Sequence, residues 1–171
     1  MRRLAKGRRI YRCEMTRREI EAATAAMSAP HAGEHEMRFP PELRPIADDA
    51  HAFDAEDANY RILTEPREMI IDDALAGTRR FDPHAEVGDF LVWTRRSAPA
   101  YQLAVVVDDA RHGVTDVVRG DDLLPSAARQ TLLYDALDLE PPRWWHVSLV
   151  VGADGRRLAK RHGDTPVSYT H

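Results

Sequence analysis

An α/β fold containing a parallel strand pair is what this 171-residue sequence predicts, on three observations. Residues 101–107 (YQLAVVV) form a continuous apolar run, as expected of a strand covered on both faces, and residues 146–151 form a second, mainly apolar one. Between them, Pro125 and Ser126 open a helix whose Leu132, Leu133, Ala136 and Leu137 mark one face, and Pro141-Pro142 stops it. Strand, helix, strand is a βαβ unit. A composition of 43% hydrophobic and 30% charged residues leaves enough apolar surface for one core.

The remaining elements follow along the chain. Thr16 and Glu19 have the spacing of a capping box, and the alanine-rich stretch after them is helical up to Ala29-Pro30. Residues 30–55 hold several prolines, three histidines and scattered acids, which predicts an irregular surface segment. Residues 59–64 and 68–71 read as short strands and 90–94 (FLVWT) as a stronger one. Ser97-Ala98-Pro99 turns the chain into the 101–107 run, and Asp108-Asp109 ends that run at the carboxyl edge, where open α/β sheets place ligands. Residues 114–118 read as another short strand, and Gly152–Gly155 as a turn presenting RLAKRHGD.

Net charge is −4, so contact with nucleic acid would rest on a local patch such as Arg2, Arg3, Lys6, Arg8, Arg9 and Arg12. Cys13 is the single cysteine, which excludes an internal disulfide and suits a reducing compartment. No run of about 18 apolar residues occurs, and the basic opening lacks the apolar stretch of a signal peptide; a cytoplasmic protein without membrane contact is expected.

Lys160 draws attention because only Lys6 and Lys160 are lysines among 24 basic residues. Where arginine fills nearly every other basic position, a compact ammonium in a loop is a candidate for chemistry that a guanidinium does less well. Asp108, Asp109 and Asp116 read as a carboxylate cluster for a metal, or as a strand-end turn pairing with Arg111 or Arg119. His146 reads as a nucleotide-pocket residue or a hydrogen-bonded structural one.

Residues 101–164 resemble, in order and spacing, the catalytic domain of class I glutamyl-tRNA synthetases, above all its short glutamyl-queuosine tRNA(Asp) branch. The matching stretches are YQLAVVVDD, GVTDVVRGDDLL, HVSL and LAKRHGD. More loosely, the resemblance reaches back to about residue 10. It implies the second half of a class I Rossmann-type nucleotide-binding domain with an irregular inserted segment. Residues 1–98 would be a first-half boundary plus a connective, zinc-like region, and 99–171 the second half of the catalytic domain. It implies that ATP, with its Mg2+, activates L-glutamate, which then passes to tRNA, most closely to the queuosine base of tRNA(Asp). The alternatives are an ordinary glutamyl-tRNA(Glu) synthetase fragment and a non-catalytic remnant or tRNA-binding module.

By the same resemblance, Arg157, Leu158, Ala159, Lys160 and Arg161 stand at the KMSKS signature, with Lys160 the critical lysine for the ATP phosphates and Arg157 and Ala159 as departures. Arg119 would pair with the glutamate side-chain carboxylate, and Tyr101 would add a hydroxyl. The branch's zinc ligands fall on Cys13, Met15, Phe39 and Leu43; one thiolate of four remains, so no zinc is expected, with His31 and His35 the nearest substitutes. A strand–turn–helix unit with a HIGH signature is expected upstream and is not found before Arg9, so both ends look cut.

Overall fold

A computed structural model describes residues 1–27, 39–46, 51–54 and 57–152. Among them, two four-stranded sheets form around one main core. The first is antiparallel, in the order β1 (Ile10–Cys13), β2 (Asn59–Ile62), β5 (Leu91–Thr94) and β6 (Ala98–Pro99). The second runs β4 (Gly77–Phe81), β3 (Met69–Asp73), β8 (Arg143–Val147) and β7 (Asp116–Gly120). β3 and β4 are an antiparallel hairpin, whereas β3–β8 and β8–β7 pair in parallel. The strands from before residue 98 therefore complete the sheet that β7 and β8 build; the division at 98/99 remains a proposal.

The βαβ unit is present, but its first strand is β7 and not the 101–107 run, and its second, β8, spans Arg143–Val147 and not 146–151. Residues 101–107 belong to helix α4 (Tyr101–His112), which corrects the strand expected there. A continuous apolar run has no period to separate strand from helix. The ends of the segment decide it: Pro99 and Ala100 are extended before it, and Gly113 adopts φ 66°, ψ 35°, the left-handed conformation that closes a helix. His112 and Arg111 occupy the last turn, where cations meet the helix carbonyls. Leu103 and Val106, three residues apart, are the buried face of α4 against α5 (Leu124–Leu137). Asp108 and Asp109 thus lie in the last turns of a helix, not at a strand's carboxyl edge.

Helix α5 opens with Pro125 in its first turn and buries Ala127, Ala128, Leu132, Leu133 and Leu137, as its apolar stripe predicts. α1 (Arg2–Lys6) adds Leu4, which is fully buried. α2 (Arg17–Met27) starts with the expected capping box: the Glu19 carboxylate accepts from the Thr16 amide at 2.6 Å, and the Glu19 amide donates to Thr16 Oγ1 at 3.3 Å. Where it would end, at 29–30, lies outside the described residues. A four-residue helix, α3 (Pro83–Glu86), is capped by the Asp82 carboxylate.

One buried carboxylate ties the antiparallel sheet to its surroundings. Asp89, with no exposed side-chain surface, accepts from Tyr11 Oη at 2.8 Å, from Arg44 Nε and Nη2 at 2.7 and 2.8 Å, and from the Thr64 amide and hydroxyl, both at 2.8 Å. Arg44 follows a single 3-10 turn (Pro41–Leu43), so this pair anchors the irregular segment from within. Burial first, and then Asp89, push the Tyr11 hydroxyl's pKa well above the ordinary tyrosine value.

Candidate active site

Arg119 stands near the carboxyl end of β7, opposite His146 in the parallel ladder with β8. Parallel pairing puts the ends of both strands on one edge, where α/β sheets bind ligands. The guanidinium is held from several sides. Nε donates to His146 Nε2 at 3.0 Å, and Nη1 to Gln130 Oε1 at 2.9 Å. Its plane sits over the Trp144 ring, 4.9 Å from the centroid. Gln130, fully buried on α5, donates onward to Gln102 Oε1 at 3.0 Å, and Gln102 donates to Ser126 Oγ at 3.2 Å.

The third nitrogen, Nη2, is buried and has no hydrogen-bond partner among the described residues. An unpaired buried N–H of a charged group is costly, and an anion beside this atom would satisfy it. Burial lowers the Arg119 pKa from the ordinary arginine value, and Tyr101, Asp109 and Asp73 pull it back up. An arginine stays charged through such a shift.

His146 is 2% exposed and bridges Arg119 to Asp73. Its Nδ1 lies 2.5 Å from Asp73 Oδ2, and its amide donates to Asp73 Oδ1 at 3.1 Å. Asp73 Oδ1 also accepts from the amides of Leu75 and Ala76, at 3.0 and 2.7 Å, so it closes the β3–β4 turn as well. Burial alone would raise the Asp73 pKa; the hydrogen bonds from Ala76, His146 and Leu75 outweigh it and hold the carboxyl at about 2. A cavity of about 420 Å³ opens here, lined by Ala76, Arg79, Asp121, His146 and Ser148 among others.

Of the residues expected from the sequence, Tyr101 opens α4 and is 62% exposed, within electrostatic range of Arg119. Arg157, Leu158, Ala159, Lys160 and Arg161 lie outside the described residues. Arg119 takes neither Asp121 nor Asp122 as a partner in its hydrogen bonds; His146 and Gln130 hold it instead. Asp116 is locally paired, but with Arg143, Trp145 Nε1 and Thr115, which hold its carboxyl at about 2. Asp108 and Asp109 stand on α4 and Asp116 at the start of β7, and no group of three metal-ligating side chains occurs among the described residues. Asp73, Gln102 and Gln130 escaped the sequence reading. At Gly120, just after Arg119, a Cβ would sit 2.6 Å from Asp122 Oδ1 and 2.8 Å from Leu149 Cδ2, so both side-chain ends would have to shift.

The four positions where the resemblance puts zinc ligands do come together, but as packing. Cys13 and Phe39 are buried in a small cluster with Tyr11 and Ile20, and Met15 and Leu43 pack against it. The Tyr11 and Phe39 rings lie 6.2 Å apart, and Arg61 covers Phe39 at 4.4 Å. One thiol, a thioether, a phenyl ring and an isobutyl group do not make a tetrahedral zinc site. His31 and His35 lie outside the described residues. In the basic N-terminal patch, Arg3 pairs with Asp138, Arg9 with Glu65, and Arg12 with Glu14 and Asp54.

With this geometry in place, comparison with known proteins is decisive for the family. Residues 2–171 match the catalytic domain of class I tRNA synthetases of the E and Q type. The chain belongs to that family. A glutamyl-Q tRNA(Asp) synthetase of Rhodopirellula baltica is 40% identical over 94% of the chain and 51% of its own length. The one from Symbiobacterium thermophilum is 43% identical over 91% of the chain and 48% of its own. A glutamate–tRNA ligase of Cereibacter sphaeroides is 42% identical over 94% of the chain and 33% of its own. The chain thus spans about a third to about half of the length of these relatives. In structure, the glutamate–tRNA synthetase of Elizabethkingia anophelis superposes with a TM-score of 0.72 at 23% identity, over 95% of this chain and 34% of that one, and so shares the fold.

Proposed function

We propose that this class I synthetase domain takes part in ATP-dependent activation of L-glutamate and its transfer to tRNA. The carrying observation is the Arg119 guanidinium, fixed at two nitrogens and bearing a buried, unpartnered third. A planar donor fork so held suits a carboxylate and disfavours an uncharged amide, which separates glutamate from glutamine. Tyr101, at the exposed start of α4, adds its hydroxyl to the same substrate. In the first step a glutamate α-carboxylate oxygen attacks the α-phosphate of Mg2+-bound ATP, giving glutamyl-adenylate and pyrophosphate. Lys160, within the sequence Arg157-Leu158-Ala159-Lys160-Arg161, supplies a positive charge to the departing phosphates. In the second step the glutamyl group passes to tRNA and AMP leaves.

The queuosine base of tRNA(Asp) is the proposed acceptor, supported by the names of the relatives from Rhodopirellula and Symbiobacterium. The similar identity to a Cereibacter glutamate–tRNA ligase favours a second acceptor, the 3′ end of tRNA(Glu). No helix among the described residues is long and apolar enough to cross a membrane, and the buried free thiol of Cys13 suits a reducing cytoplasm. Glutamate-dependent exchange of pyrophosphate into ATP tests the first step; no exchange under any tRNA condition would sink the enzymatic reading of this chain. Charging queuosine-containing tRNA(Asp) against tRNA(Glu) separates the acceptors.

A further inference from the structure

The side chains around Arg119 form one hydrogen-bonded line, and its direction can be deduced. Arginine has only donors, and an ionised aspartate has only acceptors. His146 lies between one of each: Nε2 faces Arg119 Nε at 3.0 Å, and Nδ1 faces Asp73 Oδ2. A single neutral tautomer satisfies both contacts, with the proton on Nδ1 and the lone pair on Nε2. The other tautomer sets N–H against N–H at Arg119 and a lone pair against a carboxylate. The imidazolium keeps the first clash.

The consequence reaches the substrate because a guanidinium is planar. With Nε tied to His146 and Nη1 to Gln130, the direction of Nη2 is determined. The Gln130 contact alone leaves the plane free to pivot about Nη1. Asp73, for its part, is locked by the turn amides of Leu75 and Ala76, so the line starts from backbone and not from a mobile surface group.

We propose that His146 is a positioning residue for amino-acid recognition: fixed by Asp73 as the Nδ1–H tautomer, it holds Arg119 Nε so that Nη2 meets the substrate carboxylate. This rests on the reading that Arg119 binds glutamate. His146→Asn retains reach toward Asp73 but loses the acceptor for Arg119. His146→Gln carries an amide oxygen on a longer side chain and restores that acceptor.

The test uses the whole chain in two arms. In the first, long-range 1H–15N spectra of histidine-labelled protein read the tautomer directly, and arginine labelling reads the Arg119 Nε–H. The expected result is a protonated Nδ1 and bare Nε2 on His146, with the Arg119 Nε–H signal shifting in His146→Asn and returning toward its original place in His146→Gln. A protonated Nε2, or an Arg119 signal indifferent to His146→Asn, overturns the proposal; the wild-type spectrum decides even where the variants do not fold. In the second, L-glutamate is titrated into wild type and both variants by calorimetry. His146→Asn should weaken binding by roughly 10- to 100-fold, the worth of one hydrogen bond to a charged group, and His146→Gln should recover part of it. Equal affinity in wild type and His146→Asn also overturns the proposal. An intact tautomer in a wild-type protein that binds no glutamate instead overturns the glutamate reading and leaves the hold on Arg119 standing.

Discussion

Replacing Asp89 by asparagine should be among the most damaging single-atom changes available to this fold, and the structure sets its size. The carboxylate accepts five hydrogen bonds, two from Arg44, two from Thr64 and one from Tyr11. An amide keeps one acceptor oxygen. If that oxygen stays where Thr64 and Arg44 Nη2 converge, the new NH2 faces Tyr11 and Arg44 Nε. The Tyr11 hydroxyl can rotate to accept; Arg44 Nε has only a proton to offer. Breaking one side of a buried ion pair costs about 3–5 kcal/mol. Arg44 is 25% exposed, so water recovers part of its solvation and the lower bound, about 3 kcal/mol, applies. For a domain of this length that is a fall in Tm of roughly 6–12 °C. Thermal and urea unfolding of Asp89→Asn beside Glu21→Gln makes the comparison internal. The exposed Arg17–Glu21 pair, at 2.8 Å, has a similar distance but contributes only about 0.3–0.5 kcal/mol. If the two variants lose the same stability, distance and not burial governs these pairs, and the reasoning fails.

Four further outcomes are expected. Purified protein should contain no equimolar zinc, and EDTA should leave its Tm unchanged; Cys13→Ala should cost about 1–2 kcal/mol through lost packing, while zinc at one per chain would refute the assignment of that cluster as apolar. Asp73 has a folded pKa of about 2 against an ordinary 3.8, so its contribution is present above pH 4 and fades as pH falls toward 2; acid unfolding of Asp73→Asn should lack roughly 2 kcal/mol of that pH dependence. Gly120→Ala should weaken glutamate binding measured by calorimetry, because Asp122 and Leu149 must move away beside Arg119. Lys160→Ala should abolish pyrophosphate exchange while glutamate affinity, by the same titration, stays within a factor of two or so; parallel loss of both would make Lys160 a structural residue.

What could be read from the sequence followed from how local its signals were. The α2 capping box, the α5 stripe and the strands at 59–62, 69–73 and 91–94 each announce themselves within a few residues. The 101–107 run misled because Val-Val-Val suits a buried strand as well as a buried helix face; Gly113 and the basic last turn were the better guides. Arg119 was singled out through the resemblance, and its role in the site is a proposal; the side chains that hold it were not foreseen. Asp73 stands 73 residues before His146 and Gln102 stands 28 before Gln130. No local pattern marks a side chain whose partner arrives from another element. The zinc-like positions teach a related lesson: the letters Cys13, Met15, Phe39 and Leu43 offer one thiolate among four side chains, and in the fold all four lie in or against one small apolar cluster.

Asp73 and Asp89 are both buried aspartates, and comparing them shows how the site differs from the scaffold around it. Asp89 faces a guanidinium directly, so its charge is neutralised where it lies and the pair serves only to hold segments together. Asp73 faces a neutral imidazole and three backbone amides, and the nearest cation in its line, Arg119, lies on the far side of His146. Direct contact would satisfy Arg119 and leave no call for an anion. With an imidazole between them, the carboxylate orients the guanidinium without neutralising it, and the buried Nη2 is left without a partner, as the proposed substrate contact requires. On the proposal made above, the same separation brings the turn between β3 and β4 into the site, because its closing residue is the fixed end of the line that reaches Arg119.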